Sequence, residues 1–467
     1  GTKMSTMYKE SYNDDLGRHL VATEDIAAGT VINKEAPLVL GPCWTAEYEP
    51  ICVGCYKRMT RPAPCPQCTW PLCSFRCPGR TTEHAPECHV FRRADVCVTE
   101  DDGVEILHPL IIVVRCIYFN LQDPEKWQRV CTLDSGSRST KNNNISRSYC
   151  KILNFYFGSL EIPDNIIMFL YGVLKTNAIE IRMKDCSIQG LYYNGSLLQH
   201  SCIPNTQKSY DEKVNLIVRA TVPIKTGNNL ATIYTDALWP TQARREYLEE
   251  SKNFTCTCAR CMDPSELGTN IHSLKCMKCG KGWCAPTVAL DPFSEDWECQ
   301  SCHKKAPGCN AEEMEVFLKA SLEEVEEGGN LEVGKYESFL KKYEKMMHPH
   351  HFVLLDVKYS LIQMYDKNQN VKPSKELLKK KERFCRDILE VANVIVPGYS
   401  RLRGTTLFEL QDVLFKRVQY DPSVKQEAIE VLKECTKILA TEPECQPEGR
   451  LGKACLKKME ELGIGTG

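Results

Sequence analysis

Apolar and polar positions follow three regimes along this chain. Residues 16–40, LGRHLVATEDIAAGTVINKEAPLVL, hold apolar runs broken at Asp25 and Gly29. That pattern predicts a small sheet whose hairpin turns at 27–29. Over 89–190 the pattern is mostly helical, with LHPLIIVVRCIYFNL (107–121) and NIIMFLYGVLKTNAIEI (165–181) as buried elements. Between them, SGSRSTKNNNISRS (135–148) predicts a polar, mobile loop. Residues 191–236 return to β character, with LIVRATVPI and LATIY as strands separated by Lys225, Thr226, Gly227, Asn228 and Asn229. A helix is expected over 241–250. After Cys309 the period is helical to the end. Met314, Phe317, Leu318, Leu322 and Val325 form an apolar stripe that stops at Gly328 and Gly329. Six or seven such helices fit between 311 and 462, stacked as antiparallel pairs without a clean repeat.

Cysteines change this picture. From Cys52 to Cys88 the chain reads C-x2-C-x9-C-x2-C-x4-C-x3-C-x6-H-x3-C. Eight donors serve two tetrahedral Zn²⁺ ions, because structural zinc takes four Cys or His ligands and no water. The expected allocation is interleaved: Cys52, Cys55, Cys73 and Cys77 on one ion, Cys65, Cys68, His84 and Cys88 on the other. A disulfide cluster is the competing reading, and the paired spacing argues against it.

A second field follows. Cys256, Cys258 and Cys261 supply three ligands on a short turn, and Cys202 in QHSCIPN is the best fourth. Cys276, Cys279, Cys299 and Cys302 have zinc-ribbon spacing and predict a fourth ion. Cys284, His303 and Cys309 are spare. With four protein donors each, these sites leave no open position for a metal-activated water, so they are structural. His348, Pro349, His350 and His351 precede an apolar helical run and read as a helix-entry turn, and the Glu-rich run 323–327 reads as a solvated face.

The 467 residues predict two to four domains. Lys plus Arg (59) nearly balances Asp plus Glu (61), which disfavours nucleic acid as a partner. The basic edge Lys57, Arg58, Arg61, Arg76 and Arg80 then reads as a solvated face. No N-terminal apolar run suggests a secretion signal, and the longest apolar patch, 166–174, is too short for a bilayer. With 27 cysteines kept as thiols, a cytoplasmic or nuclear setting without membrane is expected.

The order of these pieces resembles the SET and MYND domain (SMYD) family of protein lysine methyltransferases. The resemblance rests on LGRHL, the interrupting double-zinc module, LLQHSCIPN (197–205), TIYTDALWPT (232–241), NFTCTCARC (253–261) and the helical C-terminal part. The added ribbon at 276–302 looks like arthropod members. The resemblance implies an α+β fold: SET-domain β-sheets with an inserted MYND module, a post-SET zinc cluster, a zinc ribbon and an all-α, TPR-like C-terminal domain. Its parts would be 5–48 and 191–250 for the SET core, 49–88 for MYND and 89–190 for a helical insertion. The post-SET cluster would span 251–264, the ribbon 265–309 and the C-terminal domain 310–467. A knot-like crossing would lie beside His200 and Asn205.

The implied activity is transfer of a methyl group from S-adenosylmethionine to a lysine of a protein or peptide. Gly17, Arg18, Asn177, Gln199, His200 and Phe254 match cofactor-contacting positions, His200 through its backbone. Tyr234 matches the catalytic tyrosine whose hydroxyl faces the methyl group. Proline-rich peptides would suit the MYND module, and a monomer is expected. Three positions depart from the family pattern. Gln199 replaces an asparagine. Lys252 replaces a channel tyrosine, either as a cation in the channel or turned to solvent. His19 replaces a glycine, which would crowd the cofactor entrance if that turn needs positive φ. The alternative function is therefore a catalytically degenerate scaffold that binds partner proteins.

Overall fold

The turn at 27–29 forms, but the strands beside it do not pair with each other. The computed structural model describes residues 7–44, 50–98, 103–136, 142–184, 186–327, 332–367 and 373–465. In it Gly17–Ala22 pairs antiparallel with Tyr8–Asn13. Val31–Glu35 instead joins Leu216–Ala220, which also pairs with Thr206–Tyr210. A third sheet orders Val39–Pro42, Ser187–Leu191 and Ile179–Arg182. These partners lie far apart in the chain, so local alternation carries no record of them.

Helix Ile111–Gln122, entered through Val104–Leu107 and His108–Leu110, packs on the edge of this third sheet. A Cβ at Gly41 would lie 2.6 Å from the Cβ of Ile112, so glycine is what allows the close approach. Residues 104–122 are long and apolar enough to cross a membrane, which makes them, and not 166–174, the longest such stretch among the described residues. Their sides are mostly buried in the protein, as a core helix requires. Two further expectations shift. Helix Asn142–Phe157 begins inside the expected loop, of which 137–141 lie outside the described residues. Helix Asp164–Asn177 stops early because Ile179–Arg182 turns to strand. The cysteine module shares this core: Trp70 stacks on Phe91 at 5.2 Å, and Phe91 meets Phe157 at 5.5 Å.

From 308 onward the described residues form seven helices, from Gly308–Glu326 to Pro447–Glu461, around one apolar core that includes Phe384, Leu414 and Leu432. Ser374 and Ser400 begin two of them by accepting the N–H of Leu377 and Arg403. In the first helix Leu318 is buried as expected, whereas Phe317 is exposed; the stop at Gly328 and Gly329 lies outside the described residues. The His348–His351 turn leads into Phe352–Lys367 and is part of no group of metal-ligand atoms among the described residues.

This helical layer is joined to the strands by direct bonds. The Tyr399 N–H donates to Thr221 O (2.8 Å), and the Arg401 N–H to Gln207 Oε1 (2.6 Å). Between the layers lies a cavity of about 980 Å³ whose wall includes Lys208, Trp239, Tyr247 and Asp356.

Candidate active site and metal centres

The chain crosses itself at Gln199–His200, which runs parallel to Ala231–Thr232. On one side the carbonyls of Leu230 and Thr232 accept from the N–H groups of Gln199 (3.3 Å) and Ser201 (3.0 Å). On the other, Ala231 donates to Asn205 Oδ1 (2.8 Å) and accepts from the Asn205 N–H (3.1 Å) and Thr206 Oγ1 (2.8 Å). One segment is thus gripped between two arms of another by backbone and side-chain bonds on both sides.

The crossing brings predicted residues together. The Tyr234 N–H donates to His200 Nδ1 (3.1 Å), and the His200 ring lies 5.3 Å from Tyr234 and 6.0 Å from Phe254. Burial pushes the His200 pKa down to about 4, so the ring is neutral and free to accept that bond. The Tyr234 hydroxyl donates to the Leu198 carbonyl, and burial raises its pKa.

Gly17 adopts φ +65°, and nothing lies within 4 Å of the Cβ it lacks. Arg18 reaches Glu10 (2.6 Å), the Tyr193 hydroxyl (2.7 Å) and the Thr132 carbonyl, holding the following loop in place. Asn177 Nδ2 donates to Asp134 O (2.7 Å) in that loop. A Cβ at Gly136 would meet Thr176 Oγ1 at 2.6 Å and Asn253 Nδ2 at 2.8 Å. Both atoms are buried without a hydrogen-bond partner, as is Gln199 Nε2. Orphaned buried polar atoms are groups that a polar ligand can satisfy.

Four groups of ligand atoms lie within 4.8 Å of one another. They are Cys52, Cys55, Cys73 and Cys77; Cys65, Cys68, His84 and Cys88; Cys202, Cys256, Cys258 and Cys261; and Cys276, Cys279, Cys299 and Cys302. Each can hold a metal ion, and the surroundings fit one. His84 Nδ1 lies 2.9 Å from Glu87, which is paired with Arg115 (2.6 Å), all three buried. This carboxylate fixes the ring so that Nε2 faces the thiols. Around the third group, Arg244 Nε donates to Cys202 Sγ (3.2 Å) and Nη2 to Cys261 Sγ (3.4 Å). Arg244 and Arg260, both fully buried, share Glu266 at 2.7 and 2.8 Å. Two guanidinium groups against one carboxylate leave a positive excess that a thiolate–metal centre neutralises. Of the spare groups, His303 pairs with Glu298 (2.9 Å) and Cys309 is exposed.

Glu87, Arg115, Arg244, Arg260 and Glu266 escaped the sequence reading; an arginine inside the apolar run 107–121 was the available signal for one. Arg115→Met leaves Glu87 buried with only the His84 ring beside it, and is expected to cost about 3–5 kcal/mol in chemical denaturation. Adding Glu87→Gln is expected to recover part of it.

The SET domain family matches residues 17–235, which hold the crossing, His200 and Tyr234. Drosophila melanogaster SET domain-containing protein SmydA-8, isoform A, is 25% identical over 409 residues, covering 85% of this chain and 86% of that protein. Arabidopsis thaliana histone-lysine N-methyltransferase ASHR1 is 24% identical over 84% of this chain and 83% of its own length. Gallus gallus N-lysine methyltransferase SMYD2 is 26% identical over 52% of this chain and 57% of its own. Residues 17–235 match the SET domain, and over most of its length the chain is similar to a SmydA protein. Among solved structures, the SET domain of LSMT bound to lysine and AdoHcy aligns over 98% of this chain and 89% of that one, at 11% identity and a TM-score of 0.34. That likeness is too slight to argue from.

Within this SET domain two of the departures can be placed. The positive φ falls on Gly17, not His19, which is buried in the strand with Nδ1 2.9 Å from Gly17 O. His19 therefore does not strain the turn. Lys252 is not turned to solvent. It ends helix Thr241–Lys252, donates to Thr176 O (2.8 Å), and sets Nζ 5.9 Å from the Tyr234 ring centroid. Lys208, which the sequence reading passed over, places Nζ 5.5 Å from the same ring. Burial, then the charge of Lys252, pushes Lys208 down to about 8; burial, then Lys175, does the same to Lys252. Two reluctant cations thus flank the catalytic tyrosine of the family pattern.

Proposed function

We propose that this chain is an S-adenosylmethionine-dependent protein-lysine N-methyltransferase. The observation that carries the reading is the crossing at 199–206, which sets His200, Tyr234 and Phe254 side by side next to unsatisfied polar atoms. Lysine methyltransferase is also the named activity of the plant and chicken relatives. Gly17, Arg18, Asn177, Gln199, His200 and Phe254 would hold the cofactor. Bound there, S-adenosylmethionine supplies an electrophilic methyl group on a sulfonium.

The chain's own contribution is alignment and electrostatics. The cavity between the SET sheets and the C-terminal helices takes an extended segment of a protein substrate. The Tyr234 ring, its hydroxyl held by the Leu198 carbonyl, would lie beside the incoming lysine stem. The nucleophile must be a neutral amine, and Lys208 and Lys252 disfavour a second ammonium beside them. Four zinc ions, one per cluster, hold the MYND module, the post-SET turn that carries Phe254, and the ribbon. The MYND module offers an extended groove to proline-rich peptides, and the TPR-like helices close the substrate cavity of a monomer working in a reducing cytoplasmic or nuclear setting.

Calorimetric titration of S-adenosylmethionine into zinc-replete protein is expected to show one saturable site. Labelled methyl transfer to lysines of a histone and protein mixture is expected to follow, and to fall by about tenfold or more in Tyr234→Phe. Saturable binding without transfer to any protein would favour the scaffold, the reading suggested by the two lysines at Tyr234.

A further inference from the structure

Lys208, which stands over the Tyr234 ring, lines the cavity, and the cavity holds a second chemical feature. Trp239 and Tyr247 stand nearly perpendicular, at 71° with ring centroids 5.7 Å apart. They are 38% and 40% exposed, and both line the cavity. Trp239 is fixed from behind: its carbonyl accepts Arg244 Nη1 (2.5 Å) and Arg260 Nη2 (3.3 Å), the guanidinium groups of the third metal centre. Tyr247 lies on helix Thr241–Lys252, where positions 243, 246, 247 and 250 share one face. All four line the cavity, so Glu246 and Glu250 open beside the ring.

Neither carboxylate has a cationic partner among the described residues; Glu246 accepts only from Gln242 (2.7 Å). Elsewhere in the wall, Asp356 is raised by burial and by the charges of Glu326 and Asp236. Of the four basic side chains of the wall, two are committed to carboxylates, while Arg182 lies elsewhere in the wall. Lys319 pairs with Glu315 (2.6 Å), Arg401 with Glu442 (3.1 Å), and Lys208 stands at Tyr234. On the helix face that carries Tyr247, the charges are the two carboxylates of Glu246 and Glu250.

We propose that Trp239, Tyr247, Glu246 and Glu250 form a subsite for an arginine side chain of the peptide that enters the cavity. A guanidinium is flat and weakly hydrated, so it stacks on indole and phenol faces while its edge N–H groups meet carboxylates. A trimethylated lysine has no N–H for the two glutamates, and an unmodified ammonium is compact and strongly hydrated. The subsite deepens the methyltransferase reading, on which it rests for the peptide's presence. It names a flanking residue of the substrate, not the lysine that reacts.

The test needs no cofactor. Short fluorescein-labelled Gly/Ala/Ser peptides, each with one lysine and an arginine three residues away, are titrated into the zinc-replete full chain. Matched peptides carry citrulline or trimethyllysine in the arginine's place. The arginine peptide is expected to bind about fivefold or more tightly than the citrulline peptide. That advantage is expected to vanish in Trp239→Ala and in the isosteric Glu250→Gln, with zinc content unchanged. Equal binding of citrulline, preference for trimethyllysine, or an advantage that survives both substitutions overturns the subsite. Such a failure leaves the methyltransferase reading standing, and failure of cofactor binding leaves this result standing.

Discussion

A Cys202→Ser chain is expected to lose one metal equivalent to a mild chelator and about 3–5 kcal/mol of stability in denaturant. Cys202 Sγ is the acceptor for Arg244 Nε, and Arg244 shares Glu266 with Arg260. Without the thiolate–metal charge, two buried guanidinium groups are left with a single carboxylate. The loss is expected to reach the active site as well, since Cys202 lies two residues after His200, within the crossing. Native mass spectrometry reads the metal count and calorimetry the cofactor affinity. Unchanged values for both would remove the metal from the third cluster. Cys309→Ser, an exposed thiol outside every cluster, is the control and is expected to change neither.

Lys252→Tyr is expected to tighten S-adenosylmethionine binding by about tenfold or more at neutral pH. Two unit charges about 6 Å apart, at an effective dielectric of about 20, repel by about 3 kcal/mol. The sulfonium of the cofactor would share the surroundings of Tyr234 with Lys252. The sign of the pH dependence follows. Lys208 and Lys252 are held down to about 8, so both are mainly charged at pH 7 and lose their protons as pH rises past 8. Wild-type affinity should therefore climb between pH 7 and 9. In a Lys252→Tyr, Lys208→Met chain that climb should flatten. Titrations at the two pH values decide it, and a wild-type affinity that falls with pH would show that neither lysine opposes the cofactor.

Cysteine spacing was the most legible part of the sequence. A C-x2-C turn holds its thiols together whatever the rest does, so the four ligand groups could be read before any fold. The seven described C-terminal helices were legible for a related reason, since each repeats its apolar positions within a few residues. Strand Thr206–Tyr210 was invisible because TQKSY lacks the apolar alternation of a half-buried strand. The hairpin at 27–29 misled because a turn signal says where the chain bends, not which strand it then meets. Helix Asn142–Phe157 was missed because its polar first turn continues a polar tract. Lys208 could not be found by alternation, since its role comes from a ring far along the chain.

The bonds from the Tyr399 N–H to the Thr221 carbonyl and from the Arg401 N–H to the Gln207 side chain tie the two layers together at one border of the cavity. A cleft stitched along one border admits a single extended strand lengthwise, but not the surface of a globule. On the methyltransferase reading proposed above, the acceptor lysine is then expected in a stretch of its own protein that is already loose, in a terminal tail or an unstructured loop. The choice of target is then set as much by how readily that protein frays as by the residues around the lysine.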